Sequence, residues 1–127
     1  MDDGELKRVL ELSGEERYDY FLSQVVEERE IWILINAESR FLKIASEDGE
    51  FEHLPVWPSA DLAAEYAKNT GDLTPKSIAL PDFFKKWVPG LTKDGLDIGV
   101  FPGLDQTIWI TEPEELKRDL QEELSNF

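Results

Sequence analysis

Apolar residues near the N-terminus recur at helical spacing. Leu6, Val9 and Leu10 stand at i, i+3 and i+4, which predicts a short helix over Glu5 to Leu12. Ser13 then reads as an N-cap, and Glu16 three residues later completes a capping box. The helix that follows lines up Tyr18, Phe21, Leu22, Val25 and Val26 on one stripe. Its other face carries Glu16, Asp19, Gln24, Glu27 and Glu28, and it ends near Arg29.

The pattern then shortens. Ile31-Trp32-Ile33-Leu34-Ile35 is β-branched and aromatic, as a buried strand requires. Asn36 to Ser39 turns the chain into a second strand, Arg40 to Ile44. Asp48-Gly49 marks a tight hairpin turn before a third short strand, Phe51 to Leu54. Such short connections imply an antiparallel meander. Pro55 and Pro58 end it, and Ser59 caps a helix from Ala60 to about Asn69. Thr74 to Leu80 is a connector with a little extended structure. Pro81 and Asp82 open a helix whose apolar side is Phe83, Phe84, Trp87 and Val88, and Pro89-Gly90 is expected to break it. Leu96 to Phe101 and Gln106 to Thr111 read as strands, joined by a turn at Pro102-Gly103. Thr111 and Glu114 offer a second capping box, and Leu116, Leu120 and Leu124 form an apolar seam at i, i+4, i+8.

The order is α-β-β-β-α-(β)-α-β-β-α. It predicts an α+β fold, antiparallel β-hairpins covered by amphipathic helices. No linker or low-complexity stretch divides the chain, so residues 1–127 are expected to form a single domain, with 1–12 as a loosely attached N-terminal helix.

Charge changes the picture of partners. The 127 residues hold 28 acids and 13 bases, a net −15. Residues 1–30 carry −6 of this and residues 112–127 carry −4, so the two ends hold most of it. Such a field repels nucleic acid and anionic membrane surfaces, and favours a basic protein. No apolar run approaches the roughly 20 residues that span a bilayer. Met1-Asp2-Asp3-Gly4-Glu5 lacks the basic and apolar regions of a secretory signal, which points to the cytoplasm. With no cysteine there is no disulfide, thiol nucleophile or Cys-based metal site.

Chemistry is harder to find. There is no Walker loop, no Gly-x-Gly-x-x-Gly and no Gly-x-Ser-x-Gly elbow. The single His53 alternates with apolar neighbours in Phe51-Glu52-His53-Leu54-Pro55, so its ring is expected on the opposite side, exposed or hydrogen-bonded. The acids around Asp48 lack the ligand spacing of an EF-hand loop. No metal, cofactor or catalytic residue is therefore implied. The aromatics say more. Trp57 with Pro58, and Trp87 with Pro89, sit where elements meet. They either wedge helices onto the sheet or, with His53, line a ligand or partner patch.

A set of short motifs recurs in a fixed order: Arg17-Tyr18-Asp19-Tyr20-Phe21-Leu22, Leu54-Pro55-Val56-Trp57-Pro58, Ala63 and Ala67, Phe83-x-x-x-Trp87-x-Pro89-Gly90-Leu91, Asp94-Gly95, Val100-Phe101-Pro102 and Pro113-Glu114-x-Leu116. Together, over about residues 17–125, they resemble a small bacterial family catalogued as domain of unknown function 2750. The resemblance implies a small, standalone bacterial protein. It carries over no catalytic residue, because the family has no assigned activity.

The reading that follows is a non-catalytic interaction module, an adaptor or an inhibitor of a basic partner. The alternatives are a small-molecule-binding domain or enzyme with a cleft near Trp57 and Trp87, and a homodimer formed through a strand edge.

Overall fold

The computed structural model describes residues 3–45, 52–68, 71–100 and 109–126. The chain runs α1 (Asp3–Leu10), α2 (Gly14–Glu28), β1 (Glu30–Ile35), β2 (Ile44–Ala45), β3 (Glu52–Val56), α3 (Ala60–Ala67) and β4 (Thr74–Ala79). It continues with α4 (Leu80–Asp82), a π-helical turn (Phe83–Trp87), α5 (Val88–Asp94), β5 (Asp97–Val100), β6 (Trp109–Thr111) and α6 (Pro113–Ser125). This is an α+β domain in the expected order, and the bracketed strand is a full one. The expected Asp48-Gly49 and Pro102-Gly103 turns lie outside the described residues.

Local chemistry accounts for the helix starts. The Ser13 hydroxyl accepts from the Glu16 N–H, and the Glu16 carboxylate accepts from the Ser13 N–H, both at 3.3 Å. This capping box satisfies two donors that the first turn would otherwise orphan. Ser59 caps α3 in the same way, accepting from the Leu62 N–H at 3.3 Å. The second capping box does not form. Glu112 is the N-cap of α6 and makes no side-chain cap bond, while the Thr111 hydroxyl donates to the Glu115 carboxylate at 3.2 Å. Pro113 opens this helix without needing a donor, which moves the cap one residue beyond Thr111.

Pro89-Gly90 does not break its helix. The Val88 N–H donates to the Phe83 carbonyl, a π-type spacing that inserts one extra residue into the turn. Pro89 then falls in the first turn of α5, where a missing N–H costs nothing. The helix ends instead at Gly95. There φ is +71°, and the Leu96 N–H returns to the Leu91 carbonyl at 2.9 Å.

Pairing of the strands is less local than a meander. β1 pairs antiparallel with β4, Ile31 opposite Ile78. β2–β3 and β5–β6 are antiparallel hairpin partners, but β3 and β5 join them in parallel, Leu54 opposite Ile98. The stretch from α3 to α5 is the crossover that a parallel pair requires. On the other edge of β1, the Leu42 N–H donates to the Leu34 carbonyl at 2.9 Å. Trp32 and Trp57 exchange two backbone hydrogen bonds at 2.9 Å, which links the two sheets.

One core lies between sheets and helices. Phe21, Val25 and Val26 of α2 meet Ile31, Leu54 and Ile98 from the strands, and all six are fully buried. Val9 of α1 is 2% exposed and joins this core, and Leu6 and Leu10 of the same helix pack against it half-buried. Leu116 and Leu120 of the α6 seam are buried, whereas Leu124 is only half-buried.

Candidate functional site

Two surface features flank α6, and the helix itself sorts them. At about 100° per residue, Glu115, Asp119 and Glu123 fall on one side of the buried Leu116–Leu120 seam, and Lys117, Gln121 and Leu124 on the other.

The acidic side meets α2 and β6. The Tyr18 hydroxyl donates a hydrogen bond to the Asp119 carboxylate, fastening α2 to α6. Burial pushes the Tyr18 pKa up, and the hydrogen bond and charge of Asp119 push it further, with Glu115 adding and Arg118 opposing. The Trp109 indole stacks on the Tyr18 ring, centroids 4.9 Å apart and planes 15° from parallel. Trp109 is 39% exposed and its neighbour Ile110 49%, the large apolar side chains left most open among the described residues. An aromatic ledge thus projects beside the carboxylates of Asp119 and Glu115, with Glu15 and Asp19 exposed on the first turns of α2.

The other side of α6 borders a groove of about 740 Å³. Its floor is apolar: Leu80, Pro81, Phe84, Pro89 and Leu124. Its polar groups are Arg29, Lys85, Lys117 and Gln121. Arg29 stands at the α2–β1 corner as a C-cap with φ +61°, and its carbonyl accepts from the Leu80 N–H at 3.0 Å, which holds α4 against that corner. The π turn shapes the opposite wall. Eight α-helical residues would put Pro81 and Pro89 about 80° apart, and one inserted residue brings them to about 20°. Both prolines, with Phe84 and Lys85 between them, therefore face the groove. The reverse of the same helix lines a recess of about 250 Å³ with Lys86, Trp87 and Leu91, closed by Phe41.

The residues singled out in the sequence are dispersed by the fold. Trp57 is 1% exposed, its ring 5.2 Å from that of Tyr66, and Pro58 beside it is buried. Trp87 is half-buried and meets Phe41 edge-on at 5.3 Å in the small recess. Pro89 lines the large groove on the opposite side of that helix. His53 is on β3, half-buried and opposite Asp97 of β5. Its Nε2 is buried with no hydrogen-bond partner among the described residues. Burial lowers its pKa, and the Asp97 carboxylate partly offsets this. No group of three His, Asp or Glu residues able to hold a metal ion occurs among the described residues. No helix there is long and apolar enough to cross a membrane.

Sequence reasoning passed over Trp109, Phe84, Lys117 and Leu124. Trp109 looked like one more apolar strand residue, and its place on an edge follows from β6 pairing with β5 alone among the described residues. The third leucine of the α6 seam was the one legible signal for the groove, since nothing in the sequence said what would cover it.

No curated protein matches the chain. The model of a family described as protein of unknown function, DUF2750, matches residues 18–120. That span holds most of α2, the six described strands and most of α6, the framework of both surface features, and the chain belongs to the DUF2750 family.

Proposed function

We propose that this chain is a cytoplasmic, bacterial, non-catalytic interaction module that docks a basic protein on the face formed by α2, β6 and α6. The observation that carries this reading is the exposed Trp109 indole, stacked on Tyr18 beside the carboxylates of Asp119 and Glu115. Large aromatic side chains anchor interfaces because they bury much area at little entropic cost. The surrounding acids steer a basic partner and reject acidic ones. Freedom from cysteine suits a reducing compartment.

The test is capture from native lysate on the immobilised chain, with Trp109→Ser as the matched control. A basic protein held at low salt, released as salt rises, and missing from the Trp109→Ser column supports the reading. Identical proteins on both columns, or none, overturns it. A concentration-dependent dimer in sedimentation that Trp109→Ser abolishes also overturns it, in favour of self-association through β6.

A further inference from the structure

The groove on the other flank of α6 has a charge opposite to that of the chain. Among 28 acids and 13 bases, no carboxylate lines it among the described residues, whereas Arg29, Lys85 and Lys117 all do. Neither lysine has an ion-pair partner among the described residues. The floor between them is apolar, with Phe84 from the π turn and Leu124 from the end of the α6 seam. Its volume, about 740 Å³, lies within the range of small-molecule sites, about 300–1,000 Å³.

We infer that the groove binds a small amphipathic monoanion, a single carboxylate carried on an alkyl or aryl tail. The tail lies on Leu80, Phe84 and Leu124, and the carboxylate is held by the ammonium groups of Lys85 and Lys117. Lysine stems can cover the apolar floor while their charged ends stay at the rim. The charge of the whole chain narrows the class further. A polyanion feels the net −15 over its whole length and is repelled. A lone carboxylate in the groove is governed instead by the basic side chains that line it, because exposed charges beyond a Debye length, about 8 Å at physiological salt, are largely screened. A neutral ligand would leave those groups unused, and a cation would be repelled by them. This site is separate from the Trp109 ledge and does not depend on it.

Octanoate, 1-octanol and octyltrimethylammonium give three probes with one tail and different heads. Titration followed by ¹H–¹⁵N correlation spectra and calorimetry should map octanoate to the groove. It should bind at least about tenfold tighter than octanol, and the cation should not bind. Lys85→Gln with Lys117→Gln should bring octanoate down to the affinity of octanol, and Lys85→Arg with Lys117→Arg should keep the preference. Circular dichroism checks the fold of each variant. Equal binding of octanoate and octanol, unchanged in the Gln variant, overturns the anion. Binding of none of the three overturns the site. Capture of an acidic amphipathic peptide without any response to octanoate also overturns the inference, in favour of a protein ligand.

Discussion

Trp57 and Trp87 are similar in sequence, each beside a proline, and the fold gives them different weights. Trp57 is 1% exposed, packs near the Tyr66 ring at 5.2 Å, and carries the backbone bonds that tie the two sheets. Replacing it by alanine leaves a cavity in rigid surroundings, a cost of about 3–5 kcal/mol. The lost aromatic contact pushes the value toward the upper end. Against a total stability of about 5–15 kcal/mol for a domain, that is a large fraction. Trp87 is half-buried at the rim of a recess, with Phe41 as its one aromatic neighbour among the described contacts. Trp87→Ala is expected to cost about 1–2 kcal/mol. Urea unfolding followed by far-UV circular dichroism measures both. If Trp57→Ala does not fold, Trp57→Phe and Trp87→Phe are compared, and the same order is expected. A loss at Trp57 equal to or smaller than that at Trp87 would refute the core placement of Trp57.

Three further outcomes follow from named contacts. Tyr18→Phe and Asp119→Asn should each destabilise by about 1.5–3 kcal/mol, as hydrogen bonds to a charged group do, and a double-mutant cycle should show strong coupling. Because the folded-state Tyr18 pKa is raised above the unfolded 10.0, its contribution is fully present below pH 10 and is lost as pH rises through the folded value. Ultraviolet titration should show Tyr18 ionising late, and ionisation at the ordinary value would contradict its bond to Asp119. His53 behaves with the opposite sign. Its folded pKa lies below 6.5, so the neutral ring's contribution is present above pH 6.5 and is lost as pH falls through the folded value. An NMR titration that put it at or above 6.5 would contradict its burial on β3. Ser13→Ala should cost about 1 kcal/mol through loss of the capping box, measured by thermal unfolding, and no change would mean that the box is not formed in solution.

The sequence alone determined the elements that rest on local physics. The Ser13–Glu16 box, the Ser59 cap and the α2 stripe follow from side chains within a few residues of one another. Composition also determined the sign of the net charge. Tertiary structure decided everything that depends on distant residues meeting. The π register that carries the helix past Pro89 is one such case, since the break expected there assumed an α-helical ladder. The parallel pairing of β3 with β5 is another, because no local pattern specifies a partner across a long crossover. The candidate site belongs to the same class. Trp57 and Trp109 carry the same side chain, and sequence favoured the first because of its prolines. The sheet buries Trp57 at a junction and leaves Trp109 on the edge strand of the described sheet, because edge position is a property of the assembled sheet. Lys85 and Lys117 likewise come to line one groove only when α6 packs beside the helix that follows the π turn, and that packing gives an acidic chain a basic groove.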